Sequence, residues 1–451
     1  MSYNTIRSIT TEDAQGNTVV YQLLEKSVSA GSGFFPITGA KLLFSLSRFG
    51  VGILNSQLTL DIQDDESGTF YDLFNNQLRD KYAVRILING TELFRGIADW
   101  QQIRRFPYKE GKSEIRVVFY NPLMWYKDIG YYEAGYDTIL AELTPSTPSV
   151  TPQFCRFADI FNSLLFAQYG LSGDLLKVAH GFRCENDINT GILGQTGSEV
   201  LFNVLHTASN IFEAGISVSD IAVQIANTFG VRIGWSFNAG LPMVAKNDLG
   251  RNGSSYNFAV LNDTTKMIYN DNYKVNETNG EQSASLPQIQ KSKIVRQDAE
   301  PVVQDILPYG AIKYTEPNRE YRFDNPNYSD VYGLPTFNAP AIQFDADDSA
   351  SLRLLSGTGS SAPTFPRPGK FRDPDFDNTL YFISELMARL RMDWRGEQRR
   401  NFKFHYQGYL DPMENYTTDF DDNVYIITKG EYDLTKGVTI VKDSTSILKT
   451  V

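Results

Sequence analysis

Apolar and polar residues alternate through much of residues 17–127, and this alternation limits the choice of fold more than any other feature of the sequence. It is clearest in LNSQLTLDIQD, where the large apolar residues fall at even positions with polar residues between most of them: Leu54, Leu58, Leu60 and Ile62. A period of two puts alternate side chains on opposite faces of a sheet, so that one face is buried. The pattern therefore predicts successive half-buried β-strands.

The stretch KYAVRILINGTELFRGIAD, residues 81–99, predicts a β-hairpin. Two apolar runs flank Asn89-Gly90, a pair that favours the positive φ angles of a tight turn. Two registers are compatible with the residues. A two-residue turn sets Ile88 opposite Thr91, whereas a four-residue loop sets Ile88 opposite Leu93.

Helical spacing of apolar residues interrupts the strands at five places. A short helix is predicted at 69–78, where Asp72 follows Thr69 at the spacing of a capping pair. Beyond residue 152 the same spacing predicts three more helices: 156–169, 198–209 and 217–230.

Two of the five predicted helices carry strong signals. Ser217 and Asp220 stand at capping-box spacing before the apolar positions of 217–230, and the strand-like VRIGWSF follows that helix directly. A fifth helix opens the last part of the chain, with apolar residues spaced 3, 4, 3 and 4 as in a helix packed on a flat partner: Leu380, Ile383, Met387, Leu390 and Trp394.

These patterns predict an α+β, mainly β protein of several domains. The segment TPSTPSVTP, 144–152, alternates Pro with small hydroxyl residues and indicates a stiff linker between a β domain at 1–143 and a small α+β domain at 153–275. Residues 276–370 are polar and rich in Pro, Asn, Ser and Gly, which predicts a linker and long loops with short strands. Residues 371–451 are predicted to form a helix and a C-terminal β domain.

The balance of charge limits the partners. With 42 Lys and Arg against 53 Asp and Glu, the net charge is -11, which argues against gripping nucleic acid as the main task because phosphate binding rests on clustered basic side chains. Cys155 and Cys184 match no zinc spacing and are too few for a disulfide framework. The N-terminus lacks the apolar core of a signal peptide, and no run approaches the ~20 apolar residues of a membrane span. We expect a soluble protein made in the cytoplasm.

No motif for bond-making chemistry is present. The histidines His180, His206 and His405 do not lie near a Ser, a Cys or a second His at the spacing of a triad or a metal pair. HExxH, GxSxG, GxGxxG and GxxxxGK[ST] are all absent. Because distant residues can still meet in space, this lowers the odds of an enzyme without excluding one. We expect no enzyme, and no catalytic residue, cofactor-binding residue or metal ligand.

Two charge clusters near the last helix are explained by its ends. Three acids resemble the start of a calcium loop: Asp373, Asp375 and Asp377. Asn378 and Ser384, however, stand where that loop needs Gly and a bidentate Glu. The acids instead precede a helix whose later turns carry arginines, so that both groups complement the helix dipole: Arg389, Arg391 and Arg395. The basic RMDWRGEQRR, 391–400, is expected to be a solvated helix end or a contact to an acidic partner.

The aromatic stretch YNPLMWYKDIGYYEAGY, 120–136, leaves a second class of function open. Aromatic residues at a strand end favour packing or a subunit interface. The alternative is a carbohydrate-binding or glycan-degrading protein, which would use Trp125 and Tyr126 as sugar platforms beside paired carboxylates.

Three features follow one another in residues 30–127: a helix with an F-x-x-L-F element, the hairpin K-Y-x-V-x-I-x-x-N-G-x-x-x-F-R-G, and a strand ending in aromatic residues. The residues concerned are Phe70, Leu73 and Phe74, then Lys81, Tyr82, Val84 and Ile86, then Asn89-Gly90, and finally Phe94-Arg95-Gly96. This order resembles the N-terminal barrel of bacteriophage tail hub proteins, particularly the tail-tip proteins of phages infecting Bacteroidota. SVSDIAVQIANTFGVRIGWSFN and FDDNVYIITKGEYDLTKGVTIVKD are similar to the helix-then-strand and the second barrel of that family.

The resemblance implies two barrel-like β domains flanking the small α+β domain. It also implies a homotrimeric hub or baseplate component, a ring that joins the tail tube to the tail tip and lets DNA pass without specific binding. Its expected partners are further copies of itself and the tail tube, distal tail or tail-tip proteins, and its expected place is the virion tail, after assembly in the host cytoplasm. On this hypothesis the hairpin is a wall element whose rim contacts a neighbouring chain. A hexameric distal tail protein is the remaining alternative.

Overall fold

In a computed structural model of the chain, the described residues are mostly β-strand, which confirms the mainly β class. They are 3–26, 28–46, 52–65, 68–75, 81–107, 113–121, 154–156, 177–179, 183–184, 205–208, 217–229, 231–237, 241–246, 265–268, 302–316, 319–328, 333–340, 352–354, 367–368, 371–372, 379–395, 399–418 and 424–446. No helix in these ranges is both long enough and apolar enough to cross a membrane.

The elements are named here in chain order. The strands of the first half are β1 (Tyr3–Glu12), β2 (Thr18–Lys26), β3 (Gly33–Phe34), β4 (Ile37–Ser45), β5 (Gly52–Ile53), β6 (Asn55–Asp64), β7 (Tyr82–Ile88), β8 (Thr91–Pro107), β9 (Ser113–Tyr120), β10 (Phe154–Arg156), β11 (Lys177–Ala179), β12 (Arg183–Cys184), β13 (Leu205–Ala208) and β14 (Val231–Ser236). Those of the second half are β15 (Leu241–Lys246), β16 (Thr265–Ile268), β17 (Val302–Ile306), β18 (Ala311–Glu316), β19 (Arg319–Asp324), β20 (Thr336–Pro340), β21 (Leu352–Leu354), β22 (Arg367–Pro368), β23 (Phe371–Arg372), β24 (Arg399–Gln407), β25 (Asn415–Thr418), β26 (Val424–Asp433) and β27 (Val438–Ser446). The described helices are α1 (Thr69–Asn75), α2 (Val218–Phe229) and α3 (Ile383–Arg395).

One sheet of 14 strands contains most of both predicted β domains. Its order is β17-β24-β27-β26-β4-β6-β9-β8-β7-β2-β1-β3, with β25 beside β26 and β16 beside β25. The joint is the antiparallel pair β4–β26, in which Lys41 lies opposite Asp433 and Ser45 opposite Lys429. Among the described strands, no pairing closes this path into a ring.

The four smaller sheets are built mainly from the middle of the chain. They have the orders β10-β13-β21-β22, β11-β15-β14-β5, β12-β23 and β19-β18-β20. Helix α2 packs on β5 and β14, and α3 packs on β18 and β19. The flat partner predicted for the last helix is therefore the three-stranded sheet.

The large sheet buries the face that the alternation predicts. Leu58, Leu60 and Ile62 of β6 are fully buried in a core shared with the neighbouring strands. Helix α1 covers this core with Phe74, whose ring centre lies 5.8 Å from that of Tyr82. The period of two in the sequence thus identifies the core face correctly.

The helix predictions have mixed outcomes. The helices at 217–230 and 69–78 are confirmed over the described residues, and the last helix begins at Ile383 rather than near Leu380. The helix predicted at 198–209 is wrong over residues 205–208, which form β13. Leu205 pairs there with Leu354 of β21, a partner so distant in sequence that local spacing cannot show it. Of 156–169, only Arg156 is described, at the end of β10.

The cap predicted for α1 is also corrected. The backbone N–H groups of Phe70 and Tyr71 donate to the carboxylate of Asp64 at 2.8 and 3.1 Å, and that of Thr69 donates to Asp65. Asp72, the predicted partner of the cap, is exposed. The chain supplies the capping acids from the end of β6, where they already face the helix N-terminus.

Candidate functional site

The hairpin formed by β7 and β8 has the two-residue turn. Ile88 pairs with Thr91, and Asn89 and Gly90 have φ angles of 49° and 84°. Both positive angles are those of a type I′ turn, whose twist matches that of the flanking strands. The register left open by the sequence is thereby decided.

The turn is fastened to its own chain. The Asn89 backbone N–H donates to the Thr18 carbonyl at 2.8 Å, and the Thr18 N–H donates to Asn89 Oδ1 at 2.9 Å. The side-chain amide of Asn89 donates to Asn17 Oδ1 at 3.0 Å. Because these groups are engaged with the β1–β2 turn, they hold the hairpin in place within the chain.

A carboxylate bridges two arginines in the same hairpin. Arg85 and Arg95 lie directly opposite each other, and the register shift beyond Ile86 brings Glu92 to their face. Arg95 donates to both Glu92 oxygens, at 2.9 and 2.8 Å, and Arg85 Nε donates to Glu92 Oε2 at 2.6 Å. Glu92 is 8% exposed. The like charges opposite each other would otherwise destabilise the pair of strands.

The hairpin is tied to the middle of the chain as well. The indole N–H of Trp235, on β14, donates to the carbonyl of Glu92 at 3.0 Å. Both the tip and the bulge therefore have partners outside β7 and β8. These contacts fix the hairpin within the large sheet, so that it does not project as a flexible loop.

A row of charged side chains crosses the face of the large sheet that is opposite the core. Glu431 accepts hydrogen bonds from Lys41 at 3.0 Å and from Lys442 at 2.6 Å. Two strands further along, Arg116 donates to both oxygens of Asp61, at 2.6 and 3.1 Å. The row joins β27, β26 and β4, and then β6 and β9, so its ion pairs link strands from both ends of the chain.

Buried charge also joins the middle strands to the C-terminal strands. Arg232 on β14 is fully buried, and burial lowers the pKa of its guanidinium to about 10, while Asp411, Tyr416 and Glu414 act to raise it. The group is therefore charged at neutral pH. Burying such a group in the company of carboxylates fixes β14 against the segment that precedes β25.

Exposed apolar side chains lie at both ends of the main strand path of the large sheet. Phe34, on the terminal strand β3, is 64% exposed, and Leu307, directly after the terminal strand β17, is 71% exposed. A terminal strand carries backbone N–H and C=O groups on its outer side that another strand can pair with. Single exposed apolar side chains are common on protein surfaces, so it is the outer backbone edges of β3 and β17, rather than these residues, that suit pairing with another chain.

The residues that the sequence analysis considered for catalysis or metal binding do not come together in the described ranges. No cluster of three or more His, Cys, Asp or Glu that could hold a metal occurs there. His206 lies on β13 and His405 on β24, while Cys155 and Cys184 lie in different sheets. Several residues considered in the sequence fall outside the described residues: Trp125, Tyr126, His180, Asp373, Asp375 and Asp377. The charge pairs of Glu431 carried no sequence signal, because Lys41 and Lys442 come from other strands.

No family model and no curated protein matches the sequence. Comparison with solved structures gives three matches at low identity. A tail protein from Neisseria meningitidis MC58 is 9% identical, with a TM-score of 0.42, and the match covers 90% of this chain and 91% of that one. A 43 kDa tail protein of prophage MuSo2 from Shewanella oneidensis is 9% identical, with a TM-score of 0.38 and coverage of 91% and 93%. The Francisella PdpA–VgrG complex gives 10% identity and a TM-score of 0.34, over 97% of this chain and 50% of that one.

Proposed function

We propose that this chain is a structural protein of a phage tail, a hub or baseplate component that forms a homotrimeric ring between the tail tube and the tail tip. One observation carries the proposal. A single sheet contains strands from both the N-terminal and the C-terminal part of the chain, and an exposed apolar residue lies at each end of its main strand path, Phe34 at β3 and Leu307 beside β17. Such a unit is suited to joining copies of itself rather than to catalysis.

The two ends of the main strand path, at β3 and at β17, differ from each other, and this difference is compatible with a ring. When one end of a protomer contacts the other end of the next, the contact is heterologous, and a suitable rotation closes it into a ring. The N-terminal strands also favour a barrel-like wall. In the sheet order, the strands from β4 to β3 follow one another, with β4 at one end of this run and β3 at the other. Only Phe35 and Pro36 separate β3 from β4 in the sequence, so the chain itself connects the two ends of the run.

The charge of the chain suits a channel for DNA. At a net charge of -11 the ring repels phosphates, so DNA can pass without being held. The tail tube and the distal tail or tail-tip proteins are the partners proposed for the two faces of the ring, and the virion tail is its place.

Light scattering and negative-stain imaging of the purified chain test this function. We expect a trimeric ring, alone or when the tube protein is added. Leu307→Asp should prevent ring formation, because it places a charge at the end of the sheet. Leu380→Asp is the control, since Leu380 is also an exposed apolar residue but precedes α3.

The other outcomes point elsewhere. A hexamer would indicate a distal tail protein instead of a hub. A chain that stays monomeric with every tail component would contradict the proposal, as would a Leu307→Asp ring that is indistinguishable from the ring of the unchanged protein.

A further inference from the structure

Helix α3 carries a deeply buried arginine. Arg391 is 1% exposed, in a helix that packs on β18 and β19. Its guanidinium carbon lies 4.7 Å from the ring centre of Phe337 and 5.7 Å from that of Tyr314. Aromatic faces attract a cation, but they replace only part of the hydration that a buried guanidinium loses.

The edge of this guanidinium that binds carboxylates is unused. Nε and Nη2 lie on one edge and form a fork that matches the two oxygens of a carboxylate. Elsewhere in this chain arginines direct that edge at one acid each: Arg95 at Glu92, Arg116 at Asp61, and Arg389 at Glu385. In Arg391 both atoms are buried and have no hydrogen-bond partner within the described part of the chain.

The described neighbouring side chains do not supply the missing negative charge. Burial raises the pKa of Tyr314 to about 12, while the charge of Arg391 and a hydrogen bond with it act to lower it, so this phenol is neutral at physiological pH. Where the acidic side chains of α3 and β19 are described, each is paired with another cation: Glu385 with Arg389, Glu320 with Lys313, and Asp324 with Arg322.

A second buried polar side chain, that of Ser384, lies on the same face of α3 as Arg391. Ser384 and Ala388 precede Arg391 by seven and three residues, the spacing of one helix face, and both are fully buried. Within the described ranges, the hydroxyl of Ser384 has no partner either. Long side chains on a helix lean towards its N-terminus, which directs Arg391 towards Ser384 across the small Ala388.

We infer that the fork of Arg391, together with the hydroxyl of Ser384, is a carboxylate-binding site between α3 and the three-stranded sheet. The half-buried ring of Phe337 lies over the guanidinium, so a ligand reaches the fork only when this ring moves aside. The carboxylate comes either from a free carboxylic acid or from an acidic side chain of a second copy of the chain. The site belongs to one chain and does not depend on whether copies form a ring.

Thermal unfolding of the full chain in sodium acetate and in sodium chloride, at equal ionic strength, tests the site. Acetate should raise the Tm of the unchanged protein by about 2 °C more than that of Arg391→Met, because a ligand that binds only the folded state stabilises it. Arg391→Lys, which keeps the charge but loses the fork, should respond like Arg391→Met. Arg389→Met should keep the full acetate effect, since its fork is already bound to Glu385.

The source of the carboxylate is separated by varying the concentration of protein. If a second copy supplies it, the Tm of the unchanged protein rises more steeply with concentration than the Tm of either Arg391 variant. If the unchanged protein and Arg391→Met shift equally with acetate and equally with concentration, the inference is wrong. That result would leave the ring untouched, because the ring is judged by mass and imaging.

Discussion

At the scale of single residues, the strongest constraint is the placement of Glu92 between two opposed arginines. Replacing it by Gln keeps the shape but leaves Arg85 and Arg95 facing each other without a counter-charge. Because Glu92 is buried, we expect Glu92→Gln to lower the free energy of unfolding by about 2–4 kcal/mol. Urea unfolding, with the midpoint falling at constant slope, measures the change.

A second carboxylate provides the control for Glu92. Glu320 is paired with one basic residue of the neighbouring strand, Lys313, and its side chain is 43% exposed. Glu320→Gln should therefore change the free energy of unfolding by less than about 1 kcal/mol. Equal effects of the two substitutions would show that burial of Glu92 adds nothing to its pairing.

At the scale of elements, the N-terminus of α1 depends on the end of β6. Asp64 is 2% exposed and accepts three backbone N–H groups, from Asp65, Phe70 and Tyr71. Asp64→Ala leaves these donors, of which that of Phe70 is buried, without this acceptor, so we expect a loss of about 1–3 kcal/mol in the free energy of unfolding. Asp72→Ala, which removes the cap that the sequence favoured, should cost less than about 0.5 kcal/mol. The reverse order of the two effects would restore the sequence-based cap.

The elements that the sequence predicts well are those whose signals are local. The alternation around Leu58, the Asn89-Gly90 turn and the cap of α2 each depend on a few adjacent residues, and the hydroxyl of Ser217 indeed accepts the N–H of Asp220 at 3.0 Å. The helical spacing around Leu205 is misleading, because the residue pairs with Leu354, a strand partner far away in the chain. Interactions between distant strands, such as those of Glu92 with Trp235, have no local pattern that could reveal them.

At the scale of the whole molecule, Glu431 joins the two ends of the chain through Lys41 on β4 and Lys442 on β27. Burial acts to raise the pKa of Glu431, but the hydrogen bonds from Lys442 and Lys41 outweigh it and hold the pKa below its ordinary value of 4.5. Its contribution to stability is therefore complete above that value and is lost as the pH falls through the lowered pKa.

The pH dependence of a variant checks this. Glu431→Gln should be less stable than the unchanged protein at pH 7, by less than about 1 kcal/mol because the pair is partly solvated. The difference should shrink below about pH 5 and vanish in acid, where both proteins carry an uncharged group. Urea midpoints measured from pH 7 to pH 3 give the comparison. A difference that stays constant down to pH 3 would mean that the charge of Glu431 is not the cause.

The continuity of the sheet makes the β4–β26 joint the point at which the two ends of the chain fold or unfold together. Gly430 pairs with Phe44 across this joint, and a Cβ at Gly430 would overlap the buried Phe44 ring. Gly430→Ala should therefore cost about 1–3 kcal/mol and speed amide hydrogen exchange in β4 as well as in β26. Lys429→Ala, at the exposed neighbouring position, should change neither strand. Faster exchange in β26 alone would show that the sheet unfolds as two independent parts. The proposed ring would then contain, within each protomer, a strand pair that opens more easily than the rest of the sheet.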